Sequence, residues 1–402
     1  MKHSSYFLCI LFVFGACANK QSSFTAQNLS AIDQVFASVE IPLSSLAMLP
    51  ATFELIDEAG KSIPYQLDDI DKDGNNDVLF TLLSVAATSS ATFSIKATDS
   101  APTFTKMTHA VIKVREVADP NSMQLGDDFK SVLSYTEPFN FEQDNGLIYL
   151  EGPAWESNLV GYRFYFDNRN RFDIFGKSTQ EMALASIEEN YHELADWGAD
   201  ILKVGSSLGM ASPALYENNT LELLSNTGTN RVEVVTSGSL RSILRVYHPE
   251  WKTQGHTLDA VTELEIHAHH RYTELRLSVS GIAKDLSFAT GLVRHPDAPN
   301  LVDLSSDDFA AGYTWGIQTD QAHQLGMAVI VPAAFSPAFN NNDENSHLVA
   351  FNSVQNEFRY RFLAAWELEP EEVRITNEAD FSKVVEQEAI QMTQPLTITI
   401  SQ

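Results

Sequence analysis

Short runs of alternating apolar and polar residues recur along the chain, at residues 51–56, 91–96, 161–166, 231–236, 242–247, 262–267, 275–279, 326–331, 358–363 and 396–400. A period of two turns one side of each segment into a core and the other outward, which is the signature of β-strands. Turn-forming residues separate the runs and no strand–helix–strand rhythm accompanies them. The pattern therefore predicts an all-β protein built of antiparallel β-sandwich domains. Helical spacing is confined to residues 179–185 and 367–385, the second interrupted by Pro370. The strand phase slips between His269 and Leu275, which predicts a bend or hairpin at residues 271–273. Turn chemistry at Asp99-Ser-Ala-Pro102 and Asp119-Pro120-Asn-Ser122 predicts a boundary near residues 100–120. The expected layout is a small N-terminal sandwich over residues 25–105 and a large, super-sandwich-like domain over residues 106–402.

The first residues add a location. After Met1-Lys2 an apolar run extends from Tyr6 to Phe14 and ends in Gly15-Ala16-Cys17. It is too short to span a bilayer and reads as an export signal over residues 1–17. Small residues directly before Cys17 resemble the lipobox of bacterial lipoproteins, so the mature protein is expected to be periplasmic or tethered to the outer membrane through an acylated Cys17. Phe14 stands where leucine is commoner, which leaves cleavage and release as the alternative. No cysteine follows Cys17, so the mature chain has neither disulfides nor thiolate metal sites.

A net charge of -27 excludes nucleic acid as a partner, because its binding needs basic patches. It does not exclude an anionic small substrate. Screening acts over roughly 8 Å at physiological salt, so cations lining a cleft outweigh distant carboxylates.

One acidic loop, Asp69-Ile-Asp-Lys-Asp-Gly-Asn-Asn-Asp77, sets carboxylates at alternate positions before a glycine. Asp69, Asp71, Asp73 and Asp77 match the first half of a calcium loop, since a hard cation needs several oxygen ligands at short range. The second half is missing: Phe80 occupies the place of the bidentate glutamate, and the flanks read as strands. An acidic hairpin turn without an ion is the alternative. No other cofactor is implied.

The densest chemistry lies between Glu151 and Gly209. Gly-Pro-Ala-Trp-Glu-Ser157 is followed by Tyr162-Arg-Phe-Tyr-Phe-Asp167, Asp173-Ile-Phe-Gly-Lys177, Tyr191-His192, Trp197-Gly-Ala-Asp-Ile-Leu-Lys-Val-Gly205 and Ser207-Leu-Gly209. Together with Phe288-Ala-Thr-Gly-Leu-Val-Arg-His295, this order resembles a bacterial family long catalogued as an uncharacterised domain. The family is associated with polysaccharide-utilisation loci, beside unsaturated glucuronyl hydrolases, and it includes an oligosaccharide dehydratase of ulvan breakdown. The resemblance implies an acidic oligosaccharide as substrate and elimination of water from its non-reducing-end uronate, leaving a 4,5-unsaturated uronyl end.

Such an elimination needs a cation to neutralise the carboxylate, a base for the C5 proton and an acid for the departing C4 oxygen. His192 is expected as the base and His295 as the acid or second imidazole, because histidine titrates nearest the working pH. Tyr162 is an alternative proton donor, although Phe164 and Phe166 on its face suit packing equally. Carboxylate recognition would fall to Arg163, which alternates with Tyr162 and so shares a face with Tyr165 and Asp167, and to Arg294 and Lys203. Trp155, with Glu156 beside it, is expected either to stack on a sugar ring or to serve as a buried wedge.

The same parts serve a polysaccharide lyase. A glycoside hydrolase using Glu151 and Glu156 and a non-catalytic sugar-binding lipoprotein are further alternatives. His267 and His269 share a strand face with Glu263 and Glu265, a spacing that zinc could use, but no third ligand is evident nearby. A polar face of paired imidazoles and carboxylates is the other reading of that segment.

Overall fold

The computed structural model describes residues 22–46, 49–116, 128–138, 146–167, 169–187, 190–295, 299–340 and 342–401. Cys17 and the export segment lie outside the described residues. The fold is all-β, as the alternation predicts: every one of the runs named above contributes to a strand.

The large domain is organised by a nine-stranded antiparallel sheet whose centre is the ladder Arg241–Thr253, His256–His267, Tyr272–Ser280 and Glu357–Trp366. Two five-stranded sheets pack on one of its faces. One runs in the order Gly198–Asp200, Phe172–Lys177, Val160–Phe164, Ala154–Ser157, Thr108–Val111; the other is built around Ser287–Val293 and Ser346–Asn352. Leu244, Leu264 and Phe362 from the large sheet meet Trp155, Tyr162 and Phe172 from the first smaller sheet and Leu215, Phe288 and Phe351 from the second in one apolar core. Period-two alternation then turns the remaining residues of Val160–Phe164 and Phe172–Lys177 to the outer face of their sheet. There Phe175 and Ala154 are covered by Tyr149, Leu150, Leu184 and Tyr191.

The helix expected to start near residue 367 begins eleven residues later, at Glu378. Pro370 ends the preceding turn, and Asn377 caps the helix Glu378–Thr393 by accepting from the backbone N–H of Asp380 at 3.0 Å. Its residues Phe381, Val385 and Ala389 bury against the other face of the large sheet. The other expected helix, at 179–185, reduces to a single 3-10 turn at Leu184–Ser186. The bend expected at residues 271–273 falls earlier, between the strands ending at His267 and starting at Tyr272, with His269 in the left-handed region at φ 66°.

The small domain consists of a three-stranded sheet (Gln34–Pro42, Val78–Val85, Tyr65–Asp68) against a five-stranded one. The latter takes its edge from the far end of the chain, where Thr397–Ser401 pairs with Ser23–Gln27. Residues 25–105 are thus completed by a strand that composition could not assign to them. Buried ion pairs lock the two domains: Arg241 of the large sheet binds Asp68 and Glu40 of the small domain and Glu265 of its own.

Candidate active site

The outer face of the sheet carrying Val160–Phe164 and Phe172–Lys177 holds a charged cluster under its loop cover. Arg163 lies opposite Asp173 in the strand register, so the two side chains leave the sheet together. Asp200 comes from the neighbouring edge strand Gly198–Asp200, where it faces Phe175. The Arg163 guanidinium donates to both carboxylates, at 2.8 Å to Asp200, and to the Tyr165 hydroxyl at 2.6 Å; Tyr165 in turn donates to Asp173 at 2.7 Å. Glu151 completes the ring, 3.5 Å from Arg163, 2.7 Å from Arg169 and accepting from Tyr191 at 2.8 Å. Leu150 and Glu151 are both left-handed, at φ 56° and 59°, and Leu150 gives its carbonyl to Arg163. Two consecutive non-glycine residues in that region cost on the order of 1–3 kcal/mol each, a local strain typical of functional sites.

His192 sits on the open rim of this cluster. Its side chain is 48% exposed, and Nδ1 is 3.3 Å from Asp200. The Tyr191 ring lies 4.4 Å from the imidazole, and Gln321 donates to the backbone carbonyls of both His192 and Asp200, at 3.1 and 3.2 Å. The hydrogen bond to Asp200 raises His192 above the ordinary histidine range, against the opposing effect of partial burial. Asp173 is likewise held above the usual carboxylate range, by burial and by the neighbouring Asp200 charge. Burial works to raise Glu151, but Arg163, with Arg169 and Tyr191 donating, keeps it below its ordinary value. This half of the site is rich in anions.

The other half is cationic. Asp320, in the same turn as Gln321, bonds through its backbone N–H to Ile201 at 3.4 Å and acts electrostatically on His295. Burial lowers His295 below the histidine range, Lys203 lowers it further, and Asp320 opposes both. Lys203 and Arg294 are exposed, and among the described residues neither has a carboxylate within ion-pair distance. Lys203 follows Asp200 by three residues, so the two halves lie within at most about 10 Å along the backbone.

The structure therefore sets His192 beside Asp200 and His295 within electrostatic reach of Lys203 and Asp320, both near residues 198–203 and the turn at 318–323, while Arg294 bonds to Asn345 and acts on His347. It places the other expected residues elsewhere. Tyr162 faces the core, fully buried, its hydroxyl donating to the Arg271 carbonyl and accepting from the Ala364 N–H at 3.0 Å, so it has no route to a substrate. Trp155 is also interior, with Nε1 donating to Thr273 at 2.7 Å, and cannot stack on a sugar. Glu156 is wholly buried in an ion pair with Lys177 at 2.6 Å and accepts from the N–H groups of Ala183 and Leu184; this removes it as a hydrolase carboxylate. Arg163 has no exposed surface and spends both terminal nitrogens on its own carboxylates, Tyr165 and the Leu150 carbonyl, so it positions Asp200 rather than meeting a substrate. Asp200, Asp173, Glu151 and Tyr191 stood inside the sequence blocks, but only cross-strand register shows that they converge.

The acidic loop brings Asp69, Asp71 and Asp77 together, with carboxylate oxygens within 4.8 Å of one another. Asp73 stands outside that group and accepts instead from Asn75. The oxygen set suits a hard cation, and the loop lies against the large domain, with Lys72 donating to the Val235 carbonyl at 2.9 Å. His267 does not pair with His269: it bonds to Glu265 and Tyr272, both at 2.6 Å, while His269 stacks on Phe36. Among the described residues only the aspartate loop gathers three such ligands.

The fold is thus an all-β assembly of layered antiparallel sheets with an ionisable cluster under one sheet's loop cover. The chain belongs to the family described as "Domain of unknown function (DUF4861)", which matches residues 26–398. No curated protein matches it. Among solved structures it is similar to an alpha-mannosidase from Enterococcus faecalis V583, at 10% identity and a TM-score of 0.44, covering 96% of this chain and 46% of that one. It is similar also to a protein in the glycosyl hydrolase family 38 from Enterococcus faecalis (10%, TM-score 0.43, 96% and 48%). A third similarity is to a proposed aldose 1-epimerase from Klebsiella pneumoniae (10%, TM-score 0.33, 71% and 96%). These structural neighbours are described as carbohydrate-active enzymes, and the chain spans about half the length of the two Enterococcus proteins. Likenesses this distant carry no functional argument.

Proposed function

We propose that the protein is an exported carbohydrate-active carbon–oxygen lyase, a dehydratase acting on the uronate end of acidic, ulvan-like oligosaccharides. The observation that carries this reading is the placement of two imidazoles about one segment: His192 at an open rim with Nδ1 3.3 Å from Asp200, which raises it, and His295 beside Lys203 and Asp320, where burial lowers it. Paired groups whose environments separate their titration mark an acid and a base. The assignment reverses the one expected from sequence. His295, neutral and beside unpaired cations, takes the C5 proton, because the carboxylate that acidifies C5 is drawn to Lys203 and Arg294. His192, held as the imidazolium by Asp200, faces the C4 oxygen.

In the reaction the C5–H bond breaks and its proton passes to His295. The electron pair forms the C4–C5 double bond as the C4–O bond breaks, and the departing oxygen takes a proton from His192. Water leaves in a dehydratase, a sugar hydroxyl in a lyase. Lys203 and Arg294 neutralise the charge that builds on the carboxylate. On the same proposal the apolar leader carries the chain out of the cytoplasm and Cys17 anchors it.

Incubation with saturated uronate-ended oligosaccharides tests the reading through two signals: ultraviolet absorbance of the conjugated enol ether, and product mass. Loss of one water with the chain intact is the expected result. Cleavage of the chain would make the protein a polysaccharide lyase, and binding without any product would make it a carbohydrate-binding protein.

A further inference from the structure

A groove lies on the face of the nine-stranded sheet that turns away from the two five-stranded sheets. Arg245, Glu263, Arg276 and Arg359 stand directly opposite one another on four successive strands, so their side chains leave the sheet as one row. Along those strands they alternate with Leu244, Leu264, Leu275 and Phe358, which point into the core on the other face. The row therefore opens on the side away from Arg163 and His192. The small domain borders it, where Arg245 donates to the Ile70 carbonyl at 3.5 Å. Phe335, Val354 and Val261 help to line the groove, whose volume of about 560 Å³ suits a small organic ligand.

Charge is unbalanced at one end of the row. Arg245 is neutralised by Glu263 at 2.7 Å. Arg276 and Arg359, by contrast, converge on a single oxygen, Oε1 of Glu274, at 3.0 and 3.7 Å, while Arg361 takes the other oxygen of that carboxylate at 3.1 Å. Glu265, 3.9 Å from Arg276, also serves Arg241 and His267. Glu274 is buried beneath the row, whereas the side chains of Arg276 and Arg359 are 48% and 45% exposed. Like charges directly opposite in a ladder repel, and one carboxylate shared by three guanidiniums does not cancel them. A single external anion held between the two forks does. Glu357, opposite Ser278 in the next row, lines the same groove and turns away a second negative charge. Phe335 and the exposed Val354 offer an apolar wall to the rest of the ligand.

We infer that Arg276 and Arg359 hold the head of a monoanionic ligand, a carboxylate on a flat apolar body that lies against Phe335 and Val354. The site is independent of the proposed elimination, whose imidazoles lie elsewhere. Its ligand differs in class from a uronate-ended chain, because sugar hydroxyls laid against that wall lose water without gaining partners.

Calorimetric titration of the full chain with phenylacetate, its neutral counterpart phenylacetamide, acetate and glucuronate is the test. Phenylacetate should bind with a Kd of about 1 mM or lower, and about tenfold or more tightly than each of the other three. Arg276→Gln and Arg359→Gln should each abolish that preference, and Arg359→Lys should restore part of it. Ser278→Phe, which fills the groove and keeps both arginines, should block phenylacetate at an unchanged melting temperature. Lys96→Gln, an equal change of net charge on the small domain, and His192→Gln should leave the binding intact. No binding of phenylacetate, equal affinity for phenylacetamide, or binding that survives both Arg359→Gln and Ser278→Phe would overturn the site. Glucuronate binding as tightly as phenylacetate would overturn the apolar body and make the groove a sugar site.

Discussion

Asp200 shows at the scale of one residue how the cluster acts: its carboxylate, 3.3 Å from Nδ1, raises His192 at an open rim. Replacing it by asparagine removes the charge that raises His192. Activity that needs protonated His192 is lost as pH rises through its pKa, so Asp200→Asn should move the alkaline limb of the kcat/KM profile to lower pH and leave the acidic limb, set by His295, in place. A shift of the acidic limb instead would restore His192 as the base. Arg163 lies beneath, fully buried among Asp173, Asp200 and Glu151. Arg163→Met leaves those carboxylates uncompensated and should destabilise the fold by about 3–5 kcal/mol in urea unfolding. Alternation in the sequence placed Arg163 and Tyr165 on one face, and that is what the structure has. It could not tell that loops cover the face, nor that Tyr162 and Trp155 turn into the core, because one strand's pattern says which sides differ and not what packs on each.

At the scale of elements, Gly209 links the ends of two strands, bridging Phe172 and accepting from the Val293 N–H at 3.0 Å. It sits at φ 58°, and a methyl group there would lie 2.3 Å from the Phe172 carbonyl oxygen. Gly209→Ala should cost about 1–3 kcal/mol in denaturant unfolding and weaken binding of acidic oligosaccharides together with it. The aspartate loop behaves as a separate element. If it holds calcium through Asp69, Asp71 and Asp77, added calcium raises the melting temperature by mass action, and Asp77→Asn abolishes the rise; calorimetry with and without a chelator decides. Strands were legible because their period is local. The helix Glu378–Thr393 was misplaced because its start is set by the Asn377 cap beyond a proline-bearing turn, and the pairing of Thr397–Ser401 with Ser23–Gln27 joins residues too far apart for any local pattern.

Over the whole molecule, charge is partitioned rather than spread. The anionic cluster around Arg163 reaches Asp200, and Lys203 stands three residues on, beside His295; on the proposed reading a uronate meets a proton donor at the first and its counter-charge at the second. The sequence blocks from Glu151 to Gly209 and from Phe288 to His295 marked the chain segments that build both halves, but Asp320 and Gln321 went unnoticed because they come from a distant turn. The central claim is that His295 removes the C5 proton of a terminal uronate, and the direct measurement is product formation from substrate deuterated at C5, by wild type and by His295→Gln. A primary isotope effect in wild type, with no product from a His295→Gln variant that still binds substrate, is the predicted result; undiminished product from that variant, or no product from any uronate-ended oligosaccharide with wild type, would contradict it.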